Sequence, residues 1–159
     1  MNDNITKASA LKRISSMEEE LKGLRKIVES TEPQKITDRV KTFPDALKIY
    51  INKVGPLSSH HKSLLEYSGS DKEMLAAQAL CQLSIIRTAL NEDWTADWNN
   101  GSQVKYWPWF NISGSGLTYD FYDYDYSISS VGSRLCYATR ELAKYAATQF
   151  LDIYSKLFL

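Results

Sequence analysis

Three groups of residues in this sequence are of types that could do chemistry. Asp123 and Asp125 are two apart, so a strand would put both carboxylates on one face, with Asp93 or Asp97 as a third. Paired carboxylates can hold Mg²⁺ for phosphodiester chemistry. Here they alternate with tyrosines, and charges along a strand edge commonly guard against aggregation, so hydrolysis is the least favoured reading. His60 and His61 are the two histidines. Their side chains diverge on a helix or strand, which favours a solvated or capping role over metal ligation. The third group is aromatic: Trp94, Trp98, Trp107, Trp109, Tyr122, Tyr124 and Tyr126, with Lys105 and Arg134 among or near them. Rings offer stacking surface for bases at about 1–3 kcal/mol each, and rigid contact area for a protein. Two adjacent histidines and two apparently buried cysteines supply no nucleophile and base, so no catalytic residue, metal or cofactor is assigned.

Two local patterns imitate known sites and fail. Asp97-Trp98-Asn99-Asn100-Gly101 resembles a calcium loop, but its glycine comes one position early and Pro108 stands where the final glutamate belongs. Asn111-Ile112-Ser113-Gly114-Ser115-Gly116 reads as a flexible hairpin loop, since no Gly-Lys-Ser/Thr follows to cradle phosphate.

The charge distribution narrows the partners. The 159 residues carry no net charge, so no global field favours nucleic acid or a membrane surface. Residues 91–130 hold 11 of the 19 aromatics with six acids and one base, a local charge of −5 that opposes a long nucleic-acid strand. Residues 1–56 hold 11 bases and 8 acids. Cys81 and Cys136 lie in apolar surroundings and are expected as buried thiols of a cytoplasmic protein. The polar start Met1-Asn2-Asp3-Asn4 argues against a secretory leader, and no apolar run approaches the ~20 residues of a membrane span.

The elements that must position the aromatic block follow from periodicity. Ile14, Met17, Leu21, Leu24 and Val28 are spaced 3, 4, 3, 4, the seam of a coiled coil, within a helix over 7–30. Gly23 weakens it by about 1 kcal/mol relative to alanine, and Pro33 stops it. A stripe this narrow is expected to be covered, by a copy of itself in the first place or by folding back on its own domain. Thr42 caps a second helix, with Pro44 and Asp45 in its first turn. Leu64–Tyr67 is a short helical candidate. Ser70 and Glu73 form a capping box opening a helix to Leu90, whose wide apolar face makes it the most buried. Arg87, on that helix, is expected at the surface, with a phosphate clamp as the alternative. Trp94 and Trp98 would stack if one helical turn joined them.

Residues 104–110 and 117–128 have strand composition, with Pro108 favouring an edge or a bulge. The alternation changes phase at Tyr122, which demands a bulge or turn there. Ser129–Ser133 turns again, and Arg134-Leu135-Cys136-Tyr137 is expected as a third strand. Thr139 caps a last helix to 158.

From Thr37 onward the chain also resembles conserved phage and prophage proteins of Bacteroidetes-type bacteria. The matching strings include Asp38-Arg39-Val40-Lys41-Thr42-Phe43, Ala89-Leu90-Asn91-Glu92-Asp93-Trp94 with Asp97-Trp98, Lys105-Tyr106-Trp107-Pro108-Trp109-Phe110, Val131-Gly132-Ser133-Arg134-Leu135-Cys136-Tyr137 and Glu141-Leu142-Ala143. They span about three quarters of the chain and leave out the coiled coil. The resemblance implies a phage gene acting inside a bacterial cell and carries no functional residue with it.

Together these readings predict an α+β fold. A three-stranded antiparallel sheet packs on the 70–90 and 139–158 helices (residues 33–159), behind a coiled-coil oligomerisation helix (residues 1–32). The expected function is binding without catalysis, by a cytoplasmic homo-oligomer whose aromatic block meets a second subunit or a host protein. The alternative is a small nucleotide or nucleic acid stacked on the same rings, with Lys105, Arg134, Arg140 and Arg87 toward the phosphates.

Overall fold

The computed structural model describes residues 6–31, 34–126 and 134–159, the side chains of 28–31 excepted. Val28 of the seam, the Glu32-Pro33 stop, Ile128 and the 129–133 turn thus lie outside the described residues. The chain divides into two compact units, residues 1–34 and 35–159. Among the described residues no helix is long and apolar enough to cross a membrane.

The first unit is one helix, α1 (Lys7–Thr31). Ile14, Met17, Leu21 and Leu24 are each more than half exposed on the single chain, as is Leu11 beside them.

The second unit holds six helices and two strands among its described residues: α2 (Ile36–Arg39), α3 (Phe43–Val54), α4 (Ser59–Leu65), α5 (Lys72–Leu90), β1 (Lys105–Ser113), β2 (Gly116–Asp125), α6 (Arg140–Gln149) and α7 (Leu151–Phe158). α5 is the central helix, packed against α3, α4 and α7, while α6 and α7 also meet the strands. Leu83, Ile86, Ala89 and Leu90 of α5 are fully buried with Val40, Ala46, Ala143 and Ala146.

Local chemistry sets the helix starts. Thr42 Oγ1 accepts from the Asp45 amide, and Asp45 accepts from the Thr42 amide at 2.8 Å, a complete capping box. Those hydrogen bonds from Thr42 hold the Asp45 carboxyl below its ordinary range. At the other end of α3, Gly55 has φ +105°, a conformation open to glycine and strained for other residues. Ser58 caps α4, which starts at Ser59, five residues before the Leu64 start expected. His61 Nδ1 lies 2.9 Å from the Ser58 hydroxyl, and both histidines are exposed. α5 starts one residue later than expected. Asp71, not Ser70, accepts from the Met74 amide at 2.9 Å, because its carboxylate is a charged acceptor at a positive helix end. Tyr67 Oη takes the Asp71 amide at 3.1 Å, the role expected of Glu73.

Among the described residues the sheet has two strands, not the three expected. β1 and β2 pair antiparallel from Lys105↔Asp125 to Ser113↔Gly116. The hairpin loop is therefore shorter than the six residues expected: Gly114 and Ser115 alone turn the chain, and Gly116 has φ +110°. Pro108 faces Tyr122 and Phe110 faces Tyr119, so Trp109 opposes both Asp120 and Phe121. That bulge on β2 absorbs the phase change in the sequence. The 134–137 segment makes a single bridge in place of a strand. Tyr106 and Tyr137 exchange backbone hydrogen bonds of 3.1 and 2.7 Å. The ladder cannot extend toward Leu135, whose partner on β1 would be Pro108, a residue without an N–H to donate. Asn91 holds the opposite edge of the segment: its Nδ2 donates to Cys136 O, and its Oδ1 accepts from Ala138 N, both at 2.9 Å. Thr139 then caps α6, accepting from the Leu142 amide. The single last helix expected is broken at Phe150, whose φ of −119° and ψ of 31° leave the helical region.

Candidate functional site

The hairpin positions the aromatic block, and its two faces differ. Directly opposed residues of an antiparallel pair share a face. Tyr106, Phe110, Leu117 and Tyr122 pack toward the core. The Phe110 ring lies 4.7 Å from that of Tyr154 and 5.8 Å from that of Phe158 on α7. On the other face Trp109 and Phe121 stack at 6.3 Å with an 11° interplanar angle. The Trp109 indole N–H donates to Asp123 Oδ2 at 3.2 Å. Both rings are exposed, Phe121 to 50%. Ile112 and Tyr124 are exposed as well, but they oppose Leu117 and Tyr106 and so lie on the inner face, toward its rim.

Lys105 has a different place from the one its sequence suggested. Its side chain is fully buried. Nζ donates to the carbonyl oxygens of Asp97 and Tyr126 at 2.6 Å and of Gln103 at 2.9 Å, with Asn100 O at 3.4 Å. Its three protons are thus committed to backbone. The Trp98 ring lies over it, 5.2 Å from centroid to Nζ. Lys105 and Trp98 therefore lock the 97–103 loop to the end of β2, and Lys105 has no proton left for a ligand phosphate. Trp94 is half-buried, and the Trp94–Asp97 segment is not helical, so no Trp94–Trp98 stack forms. Trp107 is 8% exposed.

The basic residues expected around the rings are dispersed. Arg134 is exposed and borders a separate hollow with Tyr50, His61, Leu80 and Cys81. Arg87 is half-buried, not superficial as expected, and its Nε has no hydrogen-bond acceptor. Its charge favours the ionised forms of Cys136 and Tyr137. Arg140 borders a cleft with Tyr106, Tyr122 and Tyr124, but donates to Glu141 at 2.6 Å. That carboxylate occupies the first turn of α6, where a ligand anion would sit.

The acidic residues are also engaged. Asp123 binds Trp109 and the Tyr124 amide, and Asp125 accepts from the Tyr126 amide at 2.6 Å. Among the described residues no three His, Cys, Asp or Glu side chains converge as a metal set. Cys81 and Cys136 are separate thiols, both shifted upward by burial and so weak nucleophiles.

A pocket of about 180 Å³ opens beside β1, lined by Trp107, Trp109, Ile112, Leu135, Tyr154 and Phe158 among others. The buried Trp107 indole N–H has no acceptor. An unsatisfied buried donor costs about 1–3 kcal/mol.

Sequence reasoning missed the buried Asn91 clamp, the Gln78 amide that reaches the Leu64, Leu65 and Tyr67 carbonyls, and the Tyr137–Tyr154 hydroxyl pair at 3.1 Å. A polar residue inside an apolar helix was the visible signal for Gln78. The partners of the other two are 17 to 47 residues away. No protein-family profile matches the chain, and neither a curated protein nor a solved structure resembles it at a significant level.

Proposed function

We propose that this chain is a non-enzymatic, phage-encoded interaction protein that self-associates through α1 and presents the outer face of its hairpin to a host protein in the bacterial cytoplasm. The carrying observation is the exposed Trp109–Phe121 stack, on the outer face of a hairpin whose inner face is packed on helices. Aromatic anchors of this kind dominate the energetics of protein interfaces. The 3-4 spacing of the exposed α1 seam fits a second copy, because that period keeps a stripe facing its partner along a supercoil.

The nucleotide alternative has ring surface but, among the described residues, no unpaired cation at it. Lys105 is spent on carbonyls, Arg134 borders another hollow and Arg140 is paired. Light scattering on the full chain and on residues 35–159 tests the oligomer. A dimer or larger assembly should become a monomer, and an unchanged association number would sink the role of α1. Protein purified natively and then denatured should release no nucleotide. A stoichiometric one in the filtrate would replace this reading with the nucleotide alternative.

A further inference from the structure

The exposed seam of α1 is bordered by charges in a definite order. With Ile14 and Leu21 at the a positions of the heptad and Met17 and Leu24 at d, Arg13 and Glu20 fall at g, and Glu18 and Arg25 at e. Arg13 and Glu20 have only uncharged residues three and four places away, so neither has an ionic neighbour along its own helix. Among the described residues none of the four is held in a salt bridge.

These charges distinguish the two ways in which a second copy can cover the seam. In a parallel, in-register pair, each g residue meets the e residue five places on in the other chain. Arg13 then meets Glu18 of the second copy and Glu20 meets Arg25, each twice by symmetry, so all four contacts are attractive. A reversed copy at full overlap sets Ile14 against Leu24 and Leu21 against Met17, which brings e to e and g to g. Glu18 then faces Glu18, Glu20 faces Glu20, and Arg13 faces Ile27. Sliding the reversed copy by one heptad regains opposite charges only by uncovering part of a seam that is already short.

We infer that the seam is covered by a second copy of this chain running parallel and in register, selected by the Arg13–Glu18 and Glu20–Arg25 pairs. The inference rests on the self-association proposed above and adds its direction. Both copies of residues 35–159 then continue from the same end of the coil, so a partner with two docking places would bind the pair more tightly than one copy.

The test uses the full chain carrying Ile14→Cys, mildly oxidised at a concentration where light scattering detects the assembly. The unsubstituted chain is the control for Cys81 and Cys136. In the parallel pair the two thiols at position 14 face each other, and a covalent dimer should form. In the reversed pair they stand about 15 Å apart along the axis, too far to link. An equal mixture of Ile14→Cys and Leu24→Cys chains should then give a covalent heterodimer only if the copies are reversed. Arg13→Glu should raise the dimer dissociation constant about tenfold, because two attractions become repulsions, and adding Glu18→Arg should recover most of that loss. A dimer that links only in the mixture and is indifferent to Arg13→Glu would overturn the parallel arrangement and leave self-association standing. A full chain that scatters as a monomer would overturn both.

Discussion

Lys105 and Trp109 lie four residues apart on β1 and face the same side of the hairpin, yet their surroundings are opposite. Around Lys105 the 97–103 loop and the end of β2 close over the strand, and the ammonium is saturated by carbonyls. Around Trp109 no described residue closes over the strand. The ring rests on Phe121, tethered by one hydrogen bond to Asp123, and remains 42% exposed. A polar residue is thus buried and an aromatic one left outside, the reverse of what hydrophobicity alone would assign. The difference lies in backbone supply. The loop brings otherwise unpaired carbonyls to one point, and a buried carbonyl cluster needs a donor. Beside Trp109, β2 supplies a bulge instead, and a bulge re-aims side chains.

Substituting Lys105 breaks this comparison most severely. Lys105→Met keeps the volume of the stem and removes the ammonium, so three carbonyls lose their donor at once. Removing one member of a buried charged hydrogen-bond network costs about 3 kcal/mol. Denaturant unfolding should show that loss, and hydrogen exchange should show the 97–103 amides opening early. A stability within about 0.5 kcal/mol of the original would mean that water replaces the ammonium freely and the lock is not structural.

The same contrast explains what could be read in advance. Thr42 and Thr139 were legible as caps because cap and acceptor lie within three residues. The bulge was legible because a phase change in a period-2 pattern admits few solutions. The role of Lys105 was not, since its acceptors at 97, 103 and 126 meet only after the hairpin and its loop have formed. The third strand failed for the complementary reason. Strand propensity in Leu135-Cys136-Tyr137 is local, but the next ladder position on β1 after the Tyr106–Tyr137 pair is Pro108, 27 residues before Leu135, which has no N–H to donate. Of the candidate ligand residues, Trp98, Trp109, Tyr124 and Tyr126 are exposed, whereas Trp107 and Lys105 are interior, and nothing in their local sequence separates the two groups.

The buried Tyr137–Tyr154 pair sharpens the comparison at the next scale, as the fully enclosed counterpart of the exposed stack. Burial pushes both phenols upward from their ordinary value near 10. The unfolded chain therefore loses these protons first as pH rises, and binds fewer than the folded chain above about pH 10. Stability contributed by the pair is fully present below that pH and declines above it, at up to about 1.4 kcal/mol per pH unit for each tyrosine. Tyr137→Phe should remove one phenol's share of that alkaline slope and cost about 1 kcal/mol at neutral pH through the lost hydroxyl contact. Denaturant midpoints between pH 8 and pH 11 measure both. An alkaline slope identical in the variant would show that Tyr137 titrates as an open phenol.

The smallest effect on stability is expected at the exposed stack, where a large change in surface chemistry should leave the fold nearly untouched. Replacing Phe121 by serine removes a ring already half in water and leaves the Trp109–Asp123 hydrogen bond in place. An exposed aromatic pair contributes about 0.5–1 kcal/mol, so the melting temperature should fall by only a few degrees. If the stack is a docking surface, the same substitution should abolish capture of a host protein that the unsubstituted chain retains, while α1-mediated association persists. If Phe121→Ser instead lowers stability as far as Lys105→Met does, the stack belongs to the core. The two ends of the hairpin would then differ in chemistry alone, and the outer face would lose its claim to a partner.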